Sequence, residues 1–234
     1  RHMKFFRSTE FIIACVLLAA MIIIGLINPA FWSLDNIFGL LRSNVVIGIM
    51  ALGVLLVMIS GGIDVSFTAF AIAAMYLTVR AMVYLGYDGV FIPFVAATLI
   101  GLLLGAFNGF IIHRFKMIPL IVTLGTGSIV RGLVLGLVGT SIVNINKMPK
   151  ELIEFGKTDV ISLTSASGTA FGLTAMFLVY LTLALLIHLI LSHTMIGRSV
   201  YAYGGSPEAA KRVGFNTRRT IFFVYCVAGA LAGF

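Results

Sequence analysis

Long apolar blocks alternate with short polar interruptions along almost the whole chain, running approximately over residues 11–27, 37–59, 65–85, 90–112, 118–138, 171–191 and 221 to the end. Most approach the roughly 20 residues that an α-helix needs to cross a bilayer. The pattern predicts an all-α fold: a polytopic membrane helix bundle with about seven transmembrane segments, forming a single transmembrane domain over residues 1–234. The first block has Lys4 and Arg7 before it and no small-residue cleavage pattern after it. It therefore reads as a retained helix rather than a signal peptide, with Asn28, Pro29 and Trp32 as an interfacial turn. Arg1 and His2, ahead of Met3, read as a cloning scar. The last block stops within AGALAGF, with no closing charge or cap, which predicts further helices beyond it.

Composition agrees with the blocks. Sixty per cent hydrophobic residues, 10% charged residues and a mean hydropathy of +1.13 leave too little polar surface to coat a water-soluble globule. The formal charge of +8 is carried largely in loops between apolar blocks, which marks inner membrane loops and argues against nucleic acid as a partner. Counting crossings puts the N-terminus, the loop 113–116 and the stretch 197–220 on one side; these are the basic places, so that side is expected to be cytoplasmic. The loop 144–170 then falls outside as a short cap, where Lys147, Lys150 and Lys157 mix with Glu151, Glu154 and Asp159. Arg42 and Arg80 sit near outer segment ends, where long side chains snorkel to the interface. His113, His188 and His193 fall toward inner helix ends, at headgroup level.

Catalysis finds little support. Cys15 and Cys226 lie far apart within apolar blocks and give neither a disulfide framework nor a metal-ligand spacing. Gly156-Lys157-Thr158 spells the end of a phosphate-binding loop, but that motif needs a glycine where Glu151 stands. No Ser/His/Asp set, zinc-ligand set or paired carboxylates suggests an enzyme, and no metal or cofactor is expected on the chain itself.

Three features carry more information. The run SGGIDVS, residues 60–66, breaks what would otherwise be one very long apolar stretch. Gly61 and Gly62 make the turn, while Asp64 and Ser66 either cap the following helix or line a path or docking site. A second interruption surrounds Thr123, Thr126, Ser128 and Arg131. Arg131, deep in an apolar block, either faces the bundle interior, with Asp64 as one candidate partner, or snorkels outward. With Asn108, the hydroxyls of Thr123, Thr126 and Ser128 are candidate weak contacts to a solute. The third feature is the polar stretch 197–220, which holds a short helix with Ser206 as N-cap, Pro207 at its first position, Glu208 where the helix dipole favours a negative charge, and Gly214 to end it. Elsewhere, glycines recur at the four-residue interval that lets helices touch: Gly101, Gly105 and Gly109; Gly132 and Gly136; Gly229 and Gly233.

GGIDVS, VTLGTGSIVRG and GRSVYAYGGSPEAAKRVGF, in that order, resemble the permease subunits of bacterial ABC importers for simple sugars of the ribose, xylose, arabinose or galactose type. The resemblance covers essentially the chain from residue 11 to its end. It implies a subunit of the bacterial inner membrane that pairs with a second permease copy or paralogue, two cytoplasmic ATPase subunits carrying ATP and magnesium, and a periplasmic sugar-binding protein. It further implies that Ser206, Pro207, Glu208, Ala209, Ala210, Lys211, Arg212, Val213 and Gly214 form the helix that inserts into the ATPase. After GGID the family usually continues Leu-Ser-Val-Gly, where this chain has Val65, Ser66, Phe67 and Thr68; the bulkier residues narrow a passage or alter a helix contact and weaken transfer of substrate identity. The rival reading is an ion-coupled transporter or channel in which Asp64 and Arg131 titrate or bind ions.

Overall fold

A computed structural model of the chain describes residues 9–139, 148–164 and 170–234. The chain forms two compact units, one made of residues 1–44 and 159–174, the other of residues 45–158 and 175–234. The helices are α1 (Thr9–Ile27), α2 (Leu34–Ile59), α3 (Phe67–Leu85), α4 (Phe91–Phe115), α5 (Pro119–Leu133), α6 (Lys150–Lys157), α7 (Ala175–His193), α8 (Met195–Gly205), α9 (Pro207–Arg212) and α10 (Thr217–Gly233). A 3-10 turn, Pro29–Trp32, joins α1 to α2, and a π turn, Val134–Val138, follows α5. Five of the helical spans are long and apolar enough to cross a membrane: Leu34–Ile59, Phe67–Leu85, Phe91–Phe115, Pro119–Val138 and Ala175–His193. Phe11–Ile27 is a shorter apolar helix, and α10 has 17 residues. The architecture is an all-α polytopic membrane bundle.

Within the first unit, Asn28 accepts the Ala30 N–H at 3.1 Å to open the 3-10 turn, and Ser33 accepts the Asn36 N–H at 3.2 Å to start α2. The short cap expected at 144–170 holds regular structure, and the helix expected from about 171 starts later. Strands β1 (Asp159–Thr164) and β2 (Ala170–Thr174) pair antiparallel, and the next helix begins only at Ala175. β1 reads DVISLT, whose β-branched residues suit a pleated ribbon. Arg42, expected to snorkel alone, is ion-paired to Asp159. Lys147 lies outside the described residues.

The second unit is organised by α4 and α10. Gly101 and Gly105 face Gly229 and Gly233 with no room for side chains between them, while Gly109 lies at ordinary contact distance from Phe222 and Tyr225. A methyl on Gly105 would run into the Tyr225 carbonyl oxygen, and one on Gly229 would come within 2.8 Å of the Gly105 Cα. Lipid supplies no hydrophobic drive between helices, so this backbone approach lets dispersion hold the pair. Around it pack Leu56 and Val57 of α2, Val200 of α8 and Val224 of α10, all essentially buried. Phe70 of α3 is equally enclosed. The outer faces remain apolar: Leu103 and Phe107 on α4 and Ile121 and Leu124 on α5 are exposed, a surface suited to lipid or another membrane subunit.

The other glycine pair behaves differently. Gly132 and Gly136 have the same spacing, yet a methyl on either meets nothing within 4 Å among the described residues. Spacing reports that two glycines share a helix face; it does not report whether another backbone lies against that face.

Candidate functional site

The break between α2 and α3 is built by hydrogen bonds that a helix would have used internally. Gly61, with φ of 78°, turns the chain where a side chain would be strained, and its N–H reaches the Met58 carbonyl at 2.9 Å. Ser60 donates to the Val57 carbonyl at 2.7 Å. Asp64, only 6% exposed, follows. Its Oδ1 accepts both the N–H of Ser66, at 2.7 Å, and the Ser66 hydroxyl, at 2.6 Å. Asn108 of α4 donates its amide to the Ser66 oxygen at 2.9 Å. From α5, the Thr123 hydroxyl lies 3.3 Å from both the Val65 N–H and the Ile63 carbonyl. Three helices are thus tied to one six-residue turn, and the carboxylate is held by donors from its own turn.

The candidate solute contacts Asn108, Thr123 and Thr126 lie in and around this knot and are buried; Thr126 bonds back to the Val122 carbonyl at 2.9 Å. Ser128 and Arg131 are exposed on the other side of α5. Arg131 stands eight residues beyond Thr123, about 12 Å along the helix, so the interior pairing with Asp64 is not formed. Arg42 is ion-paired to Asp159, and among the described residues no cluster of His, Cys, Asp and Glu could hold a metal.

Beside the break lies the 197–220 stretch. Its first part is no loop. Thr194 caps α8 by accepting the Gly197 N–H at 3.1 Å, and Gly197, Ser199 and Val200 are buried. The Thr220 hydroxyl of α10 donates to Ser199 at 3.1 Å. Ser206 then caps α9 by accepting the Ala209 N–H at 3.2 Å, with Pro207 in the first turn and Glu208 beside it. Phe215 N–H closes the end onto the Ala210 carbonyl at 3.0 Å, past Gly214 in the left-handed region at φ of 91°. Ala210 is 1% exposed and anchors the helix, whereas Pro207, Glu208, Ala209, Lys211 and Arg212 are exposed and Val213 stands 72% exposed. Burial, and then the charge of Glu208, push the Tyr203 phenol above its usual range. A cleft of about 460 Å³ flanks α9, between Lys116 and Pro119 on one side and Glu208 and Lys211 on the other.

Sequence reasoning missed the end of α8. Gly204 packs its backbone directly on Ile59 and Gly61. The signal was present as GG in YAYGGSPEAA, but only the second glycine, Gly205, lies in open space.

The site thus consists of a polytopic helix bundle, a hydrogen-bonded break and a short capped helix beside it. The chain belongs to the family described as branched-chain amino acid transport system / permease component, whose model matches residues 36–234. It is 32% identical to the ribose import permease protein RbsC of Haemophilus influenzae over 98% of this chain and 68% of that protein. It is likewise 32% identical to the autoinducer 2 import system permease protein LsrD of Escherichia coli K12, over 94% and 64% of the two chains, and to a probable ABC transporter permease, y4mJ, of Sinorhizobium fredii, over 97% and 64%. The chain thus spans about two thirds of the length of these relatives. No solved structure matches it.

Proposed function

We propose that the chain is the membrane-spanning permease subunit of an ATP-driven importer, forming with a second permease copy or paralogue the path for a simple sugar or sugar-like solute. Hydrolysis belongs to cytoplasmic ATPase subunits that bind ATP and magnesium, delivery to a periplasmic binding protein, and the N-terminus to the cytoplasmic side of the inner membrane. One observation carries this reading: α9 is capped at both ends, has Ala210 as its buried residue, and exposes Pro207, Glu208, Ala209, Lys211 and Arg212. A basic loop that merely met headgroups would need neither the cap nor the anchor.

The names of the relatives, ribose and autoinducer 2 import permeases, favour a hydroxyl-rich neutral cargo over the amino acids in the family description. The buried polar groups agree. Among the described residues Asp64 is the one buried charged side chain, and its donors are in place. A zwitterion would need partners of both signs, whereas a sugar needs only weak polar contacts and leaves easily.

Val213→Asp places a charge at the exposed tip of α9, on the surface proposed to enter the ATPase. Membrane insertion should stay at wild-type level, because nothing of the bundle packs on that tip, while co-purification of the ATPase and ATP-dependent uptake are lost. Uptake driven by an ion gradient alone, in proteoliposomes without ATPase, would establish the secondary-transporter reading instead.

A further inference from the structure

α8, the helix that leads into α9, and the membrane break touch through two glycines. A methyl on Gly204 would overlap the Ile59 carbonyl oxygen and come within 3.2 Å of the Ser60 carbonyl carbon. In return, a methyl on Gly61 would sit 3.2 Å from the Gly204 oxygen and 3.4 Å from its Cα. Backbone meets backbone there, and backbone cannot rotate aside as a side chain can. Gly204 stands two residues before the Ser206 cap of α9, and Gly61 three before Asp64. α8, which carries Gly204, is itself pinned: Gly197 lies against the Ile190 and Leu191 carbonyls, and Ser199 accepts from Thr220.

Open volume lies beside the joint. A cavity of about 200 Å³ adjoins it, bordered by Ser60, Gly61, Gly62, Tyr203, Gly204 and Tyr225. The Tyr225 hydroxyl is buried with no hydrogen-bond partner, and a methyl on Gly62 would lie 2.8 Å from it. The break is therefore clamped by backbone where it meets α8, with open volume bordering that contact.

We infer that Gly204 is a positioning residue for transport, and that its contact with Gly61 is a rigid joint through which displacement of Pro207–Arg212 reaches the Asp64–Ser66–Asn108 knot. The inference rests on α9 being the coupling helix. The joint passes on a push without a side chain to absorb it, and the cavity bordering the joint leaves room for the motion.

The test uses the complete transporter, permease with its ATPase, in which Cys15 and Cys226 are replaced by serine and spin labels are placed at exposed positions. Labels on Gly205→Cys and Ile63→Cys span the joint; labels on Ile63→Cys and Leu103→Cys report the break against α4. Between the nucleotide-free state and the state trapped with ATP and vanadate, the first separation should stay fixed and the second should shift. Gly204→Ala should abolish the second shift in complexes that still contain the ATPase, while Gly205→Ala, in open space, should leave it intact. A residue that merely stabilises the fold would lower the yield of complex and leave the shift per assembled complex unchanged. A change across the joint in the wild-type chain, or a full Ile63–Leu103 shift in Gly204→Ala, overturns the joint while leaving the coupling helix standing. Failure of the wild-type chain to co-purify with its ATPase sinks the coupling reading, and the joint falls with it.

Discussion

Gly105→Leu should be the most damaging single change in the bundle, destabilising it by more than about 3 kcal/mol, beyond the usual range for overpacking a core. Ordinary overpacking is relieved when a neighbouring side chain changes rotamer. Here the obstacle is the Tyr225 carbonyl oxygen, with the Tyr225 carbonyl carbon at 3.0 Å and the Gly229 Cα at 3.1 Å from the would-be Cβ. Relief then requires α4 and α10 to part, which gives up their close approach along its length and, with it, the seats of Val224 and Tyr225. Gly136→Leu, by contrast, adds a side chain where nothing lies within 4 Å and should change stability by no more than about 0.5 kcal/mol, as surface substitutions do. Unfolding of the purified protein followed by helical circular dichroism, with the retained monodisperse fraction as a second readout, compares the two. Equal tolerance of leucine at both sites would mean that the α4–α10 contact is not what holds the bundle.

That pair of outcomes also shows what a sequence can and cannot specify. The apolar blocks give the helices because hydropathy and length act locally, and the helix ends follow from Asn28, Pro119 and Ser206, whose capping chemistry is equally local. α9 was legible for the same reason. The partner of a glycine is not local: Gly101 and Gly132 open the same four-residue spacing, and only the fold sets a second backbone against one of them. Ser199 reads as a polar loop residue until Thr220, twenty-one positions away, is seen to donate to it. Gly204 and Gly205 are indistinguishable in the chain and opposite in space. The β1–β2 ribbon was hidden because its second strand, AFGLT, continues without a break into the apolar run of α7 and so extended that block by hydropathy alone.

Asp64 offers the second large effect, and one that separates the two mechanisms. Asp64→Ala removes the acceptor of both the Ser66 N–H and the Ser66 hydroxyl in a turn where water has little access. A buried donor left unsatisfied costs about 1–3 kcal/mol, and two are stranded here. Ser66 also holds the Asn108 amide at 2.9 Å, so loosening it frees α4 from the break. The variant should lose thermal stability markedly and lose uptake with it. Asp64→Asn keeps an acceptor oxygen at the same place and gives up only the charge. If the carboxylate caps α3 and ties the turn, Asn should restore folding and ATP-dependent uptake; if it carries protons or ions through the membrane, Asn should fold and yet transport nothing. Paired measurements of thermal stability and uptake on the two variants decide it. The donors already occupying Oδ1 at 2.6 and 2.7 Å favour recovery by Asn, because an oxygen holding two short bonds inside its own turn is poorly placed to exchange ligands during a transport cycle.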